Sequence, residues 1–216
     1  MKELMLELKS AISERHKRME TLPYITALTE GTLPLRSYVA QLKAMEVIYS
    51  TLDQELPLAP SSPVFELYRS RPPRLAHIQE DLERFDHLRI PDSPKPAEKA
   101  HLIADKIRET RRERPQGLLA YIYVLEGMTL GNIVNLEYVE NCLRGKIEGG
   151  SRYYQGYGDK TLENWVEFCS VMNSLDLDRS ARDELIEDIF VFFDLLESLH
   201  TELYPLEEKI TPRTSP

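Results

Sequence analysis

Leu118-Leu119-Ala120-Tyr121-Ile122-Tyr123-Val124-Leu125-Glu126-Gly127-Met128-Thr129-Leu130-Gly131-Asn132-Ile133-Val134-Asn135-Leu136 is an apolar stretch whose length and composition read as one helix. Glycine inside a helix costs about 1 kcal/mol relative to alanine. Gly127 and Gly131 incur that cost twice, one turn apart, on one face. Bare backbone there admits a close neighbour. It is either a crossing helix on a small-xxx-small face or a flat or bulky ligand. Met128, Thr129 and Asn132 border that space, and of these only Thr129 and Asn132 bring polar atoms to a ligand. Neither is a strong acid, so a proton would have to arrive through ordered water. The stretch is long enough to span a membrane. Glu126, the two asparagines and the arginines that precede it favour a buried central helix instead.

The surrounding 216-residue chain carries a net charge of -9, with 42% hydrophobic and 29% charged residues. That balance suits one soluble domain with a sizeable core. It argues against non-specific nucleic-acid binding, which depends on clustered Lys and Arg. Cys142 and Cys169 have neither metal-ligand spacing nor a disulfide framework, which fits a reducing cytoplasm. Met1-Lys2-Glu3-Leu4 lacks the apolar run of a signal peptide. The expectation is a cytoplasmic, all-α protein, monomer or weak dimer, with no membrane or nucleic-acid partner. Residues 1–205 form its single domain and residues 206–216 a frayed tail.

Outward from the glycine helix, the three- and four-residue steps of apolar positions predict helices throughout. The first runs from Lys2 to Met19, with Met5, Leu8, Ile12, His16 and Met19 on one face. A short helix from Pro23 stops at Gly31, and a third spans Leu35 to Leu56 with Tyr38, Leu42, Met45, Tyr49 and Leu52 inward. Helices follow at Val64 to Arg69, Arg74 to Leu88 and Ala97 to Arg114, the last after a loop marked by Pro91, Pro94 and Pro96. The glycine helix covers Gly117 to Leu143. A loop from Gly145 to Lys160 leads to Thr161 as an N-cap for Leu162 to Leu175, and a last helix spans Arg179 to Leu203.

Several side chains are candidates for chemistry. His16 sits on the first helix's apolar stripe, either as a satisfied core residue or as a neutral imidazole ligand to a metal. Glu20, one turn on, is placed to orient it. Two Glu-x-x-His pairs, Glu98–His101 and Glu197–His200, match half of the donor set of a carboxylate-bound di-iron oxidase. Lys106, Arg108, Arg111, Arg112 and Arg114 alternate with acids and form either a solvated face or a dock for an acidic redox partner. Tyr153, Tyr154 and Tyr157 roof a pocket or pack a loop. The chain has no phosphate-cradling loop, nucleophile elbow or zinc spacing.

With these residues in hand, the chain resembles the heme oxygenase family from about Leu4 to Leu203. Three segments carry the likeness: Leu8 to Glu20 continuing through Pro23-Tyr24 to Gly31; Tyr123 to Asn132; and Arg152-Tyr153-Tyr154-Gln155-Gly156-Tyr157-Gly158 with Trp165 and Met172 to Leu175. The resemblance implies an all-α fold with heme b, both cofactor and substrate, held between the first helix and the glycine helix. It implies His16 as iron ligand backed by Glu20, Lys9 at a propionate and Tyr121 in contact with the porphyrin. It also implies a distal wall of Gly127, Thr129, Gly131 and Asn132, and ring opening by O2 and an external electron donor, a ferredoxin or flavoprotein. Biliverdin, carbon monoxide and ferrous iron would be the products. The chain departs from the animal-type pattern in three ways. Gly127 falls near the place of the distal carboxylate, Asn132 stands where many members have a small residue, and Trp165 and Cys169 occupy positions that are basic there. A heme carrier or sensor on the same fold is the alternative reading.

Overall fold

The computed structural model describes residues 3–206 and 211–212. Among them are nine α-helices: α1 (Leu4–Glu20), α2 (Pro23–Thr29), α3 (Leu35–Glu55), α4 (Pro63–Ser70), α5 (Arg74–Phe85), α6 (Pro94–Glu113), α7 (Leu118–Leu143), α8 (Thr161–Asn173) and α9 (Arg179–Glu202). The all-α reading therefore holds. The one departure is a two-residue antiparallel ladder, β1 (Leu88–Arg89) with β2 (Thr211–Pro212). It shortens the expected Arg74–Leu88 helix and gives part of the expected tail a partner. The rest of that tail, like Lys2 at the expected start of α1, lies outside the described residues.

Local chemistry explains most boundaries. Gly31 ends α2 with φ 70, the left-handed conformation that suits glycine. Ser62 caps α4 by accepting from the Phe65 N–H at 3.2 Å, and Asp178 caps α9 by accepting from the Ala181 N–H at 2.9 Å. Pro94 and Pro96 open α6 rather than closing the loop before it. First-turn N–H groups have no intrahelical partner, so proline loses nothing there. Thr161 is not an N-cap. Its buried hydroxyl accepts from the Tyr157 N–H and donates to the Gly158 carbonyl, both at 2.8 Å, and so ties down the preceding loop.

The core runs along α3, α7 and α9. Tyr38, Leu42, Met45, Tyr49 and Leu52 of α3 are all buried, as the periodicity predicts. Helix α7 is apolar and long enough to cross a membrane, but most of it is enclosed by the other helices and it serves as the core element. Helix α1 rests on α2, α8 and α9, and α7 rests on the same three. Neither α1 nor α7 is a main packing partner of the other. The two helices that the sequence singles out are thus held by common supports instead of by mutual contact.

Candidate functional site

On α1, Leu4 and Leu8 are buried, and Met5, Ile12 and Met19 pack partly against the core. His16 follows the same stripe, yet its side chain is 60% exposed, so it is not a core residue. Its Nδ1 lies 3.3 Å from Oε1 of Glu20, and among the described residues Nε2 makes no hydrogen bond or ion pair. A carboxylate beside Nδ1 favours the tautomer with the proton on that nitrogen, which leaves the Nε2 lone pair for a metal. Helix α1 is fixed from behind: Arg15 reaches Asp194 at 3.1 Å and lies over the Phe190 ring at 3.8 Å, and Arg18 reaches Glu197 at 2.8 Å.

On α7, the two glycines are not used for a helix crossing. A β-carbon at Gly131 would meet nothing within 4 Å, and one at Gly127 would meet only the Trp165 ring edge at 3.9 Å. Trp165 itself stacks on Phe168 with centroids 5.6 Å apart. The bare backbone therefore faces open space, as a ligand cradle would.

Thr129 and Asn132 do not share that face, which corrects the expectation that they border it. Successive helical residues turn by about 100°, which carries Thr129 to the far side of α7 from both glycines. Thr129 is buried and donates back to the Leu125 carbonyl at 2.9 Å. It is grouped with Tyr49 of α3, and Asn132 with Tyr153. Among the described residues Tyr49 Oη, Tyr153 Oη and Asn132 Nδ2 are buried and make no full hydrogen bond, though they stand close enough to interact with one another. Burial pushes both phenols up, that of Tyr49 far above its ordinary value of 10.0, so they remain neutral O–H groups. Unmatched polar atoms this close together are suited to hold water.

A second polar layer holds this one in place. Arg71 donates through Nη1 to Oε2 of Glu126 at 2.6 Å, with side chains only 5% and 3% exposed. Tyr157 donates to the other Glu126 oxygen at 2.7 Å, and Arg71 also donates to the Asn164 carbonyl of α8. Burial raises the Glu126 carboxyl, and Arg71 opposes that rise. Nearby, Arg74 donates to the Gly156 carbonyl at 2.6 Å and to the Tyr153 carbonyl. Asp81, pushed up to about 6 by burial, accepts from the Arg152 and Tyr153 N–H groups at 2.7 Å each. Gly156 has φ +61, and a β-carbon there would strike Thr161 Oγ1 at 2.7 Å. The sequence reading missed Arg71, Arg74 and Asp81. Their only signal was placement next to prolines and on a short helix, and nothing local reveals partners some eighty residues away.

Other expected residues lie elsewhere. Tyr121 is turned about 120° from Gly127. Its ring tilts on Phe192 at 4.8 Å and its hydroxyl shares a hydrogen bond with Thr110 at 3.0 Å, so it serves the core between α6, α7 and α9. Lys9 is exposed on α1 and has no partner among the described residues. Glu98 and His101 are exposed on α6, Glu197 pairs with Arg18, and His200 is buried with Nδ1 2.8 Å from the Leu196 carbonyl. Among the described residues no three His, Cys, Asp or Glu side chains group to hold a metal, so the di-iron reading has no donor set. The basic cluster is largely neutralised. Lys106 pairs with Glu109 at 2.8 Å, Arg108 with Asp105 at 3.0 Å, Arg111 with Glu55 at 2.8 Å and Arg114 with Asp188 at 2.6 Å.

The exposed imidazole with a free Nε2, and the uncovered backbone at Gly127 and Gly131 on a helix with the same supports, suit a planar iron-bearing ligand. A family model described as heme oxygenase matches residues 2–200. The heme oxygenase of Rhodella violacea is 21% identical over 206 residues, covering 93% of this chain and 86% of that protein. Heme oxygenase 1 of Gallus gallus is 23% identical, over 84% of this chain and 63% of that protein. Among solved structures, heme oxygenase-1 of the cyanobacterium Synechocystis in complex with heme matches with a TM-score of 0.82 at 17% identity, covering 94% of this chain and 92% of that one. The heme oxygenase of Leptospira interrogans matches with a TM-score of 0.78 at 20% identity, covering 93% and 99%.

Proposed function

The chain belongs to the heme oxygenase family, and we propose that it is a soluble, cytoplasmic enzyme that opens the heme ring with dioxygen and externally supplied electrons. Biliverdin, carbon monoxide and ferrous iron are the products. The observation that carries this reading is the uncovered backbone at Gly127 and Gly131, which no protein group fills. Heme, when bound, supplies both the iron that activates dioxygen and the ring carbon that is oxidised.

The chain's own residues divide the remaining work. His16 holds the iron through Nε2, and Glu20 fixes the imidazole by its contact with Nδ1. Gly127 and Gly131 let the main chain approach the other side without a β-carbon in the way. Lys9 meets a propionate. Tyr49, Tyr153, Thr129 and Asn132 hold water on the inner side of α7, away from the glycines, and so back the helix; in the absence of a distal carboxylate the proton arrives through ordered water at the open glycine face. Glu126 and Arg71 exclude water from the junction of α7 and α8 and keep Trp165 at its distance from Gly127. Tyr121 supports α7 from the core. The electron donor is a ferredoxin- or flavoprotein-type protein.

The second reading, a heme carrier or sensor, is favoured by one feature: Lys9 is the only basic residue matched to a propionate, while Trp165 and Cys169 replace others. One experiment separates the two. Hemin titration gives a sharp Soret band that His16→Ala weakens or shifts. A reductase system and air then convert the complex to biliverdin. Intact heme after many electron equivalents overturns the enzyme reading and leaves the carrier.

A further inference from the structure

The space over Gly127 is bounded by one side chain of another helix. Trp165 of α8 presents its ring edge 3.9 Å from the point a β-carbon would occupy there. The indole is half-buried and packs against the core. It also stacks on Phe168 with centroids 5.6 Å apart, so it has little freedom to swing away.

Helix α8 offers no cation beside that ring. From Thr161 to Asn173 it holds the acids Glu163 and Glu167 and neither lysine nor arginine. Both acids lie about 160° around the helix from Trp165. Cys169, one turn after Trp165, is half-buried, and burial pushes its thiol above the ordinary value of 9.0, so it is neutral. Leu162 and Val166 are both 62% exposed. At steps of three and four residues, Leu162 adjoins Trp165 and Val166 adjoins Leu162, which continues the apolar surface outward. Arg71 does reach the α8 backbone at Asn164, but it is only 5% exposed and already faces Glu126 and Glu167. The α8 side of the glycine face is thus an apolar, uncharged wall, whereas α1 brings the exposed Lys9.

We propose that Trp165 determines which edge of the porphyrin seats against α8: one that carries neutral methyl or vinyl groups, with both propionates turned from that helix. A carboxylate pressed on an indole loses hydration and gains no counter-charge, and one indole N–H does not replace a cation. An apolar ring edge loses nothing there and gains contact. A flat ring held through one axial ligand can be seated in several rotations about that bond. The wall therefore sets the rotation, and with it the carbon bridge that is turned to the site of attack. The inference rests on the heme reading and goes beyond it, to the position at which the ring opens.

Proton NMR of the ferric cyanide complex tests this without turnover, because the hyperfine-shifted heme methyl resonances report the ring's rotation. Wild type and Trp165→Phe, which keeps an apolar wall, are expected to share one dominant methyl pattern. Trp165→Lys is expected to raise a second pattern and change the ratio of the two by about fivefold, the scale of a partly exposed ion pair. Leu162→Lys, at an exposed position that leaves the core intact, is expected to act in the same direction. It decides the matter where circular dichroism shows Trp165→Lys unfolded. The biliverdin isomers formed in air are expected to follow the same ratios. One methyl pattern in every variant, or a Phe variant that shifts as far as the Lys variant, overturns the proposal, while a sharp Soret band in those samples keeps the heme reading. Absence of a Soret band overturns both.

Discussion

The indole edge of Trp165 stands 3.9 Å from the point a β-carbon would occupy at Gly127, an ordinary van der Waals distance that leaves room for the missing atom. At Gly131 the same point has no neighbour at all within 4 Å. Packing thus gives no reason for either glycine, and helix propensity argues against both. Gly131→Ala is expected to stabilise the heme-free protein by about 0.5–1 kcal/mol in urea unfolding. The same variant is expected to shift the Soret band and slow biliverdin formation. A loss of stability in the heme-free chain would show that the position is structural.

Tyr49 makes the same argument on the inner side of α7. Its buried hydroxyl makes no full hydrogen bond among the described residues, so Tyr49→Phe removes an unmet polar group and leaves the fold unchanged or about 1 kcal/mol more stable. The substitution lies behind α7, away from the glycine face, so hemin affinity and the single-turnover rate of ring opening are expected to stay unchanged. A marked loss of turnover would place Tyr49 in the proton supply.

Glu126 and Arg71 form a buried ion pair, and Arg71 also reaches the more exposed Glu167 at 3.5 Å, so replacing Arg71 strands the Glu126 charge whereas replacing Glu126 leaves Arg71 a partner. Arg71→Met is expected to cost about 3–5 kcal/mol, and combining it with Glu126→Leu should recover much of the loss. Urea unfolding of the two single variants and the double variant gives the coupling directly.

The parts of this fold that repeat along the chain were readable from it. Apolar positions at three- and four-residue steps located α3 and α9, and the glycine pair located a stretch of α7 backbone that no neighbour covers. What periodicity hid was direction. His16 fits the spacing of the apolar stripe of α1 yet faces solvent, because it stands at the stripe's margin, turned about 40° from Ile12 and about 60° from Met19, which both pack against the core. Thr129 and Asn132 are neighbours of the glycines in sequence, but a helix turns adjacent residues to different sides. The Arg71, Arg74 and Asp81 contacts were invisible for another reason: each joins segments more than fifty positions apart, and a single sequence carries no record of such pairings.

His200 gives a pH prediction. It is buried edge-on to Tyr24 with centroids 5.5 Å apart, and burial lowers its pKa from 6.5. Above that value the ring is neutral in folded and unfolded chains, so its contribution is complete. As pH falls below it, the unfolded chain takes a proton that the folded chain refuses, and stability drops. His77, also lowered, acts in the same sense. Asp81 acts in the opposite sense: with its pKa raised from 3.8 to about 6, its contribution is present at low pH and lost as pH rises through 6. Comparing His200→Phe with wild type at each pH cancels both. The wild type's urea midpoint is expected to fall relative to that of the variant between about pH 7 and pH 5.

The anchoring of α1 has a consequence for how the molecule is made. Arg15 and Arg18 find their acids 179 positions later, and the Met5 N–H finds Asn173 at a separation of 168. During synthesis α1 therefore waits for α8 and α9 before most of its supports exist, while α7 meets α2, α3, α4 and α6 as soon as it appears and gains α8 and α9 soon after. The two helices mature at different times. A chain paused before α9 carries α7 without one of its main supports and α1 without Asp194 and Glu197, so the contacts that orient the helix bearing His16 are among the last of these to form.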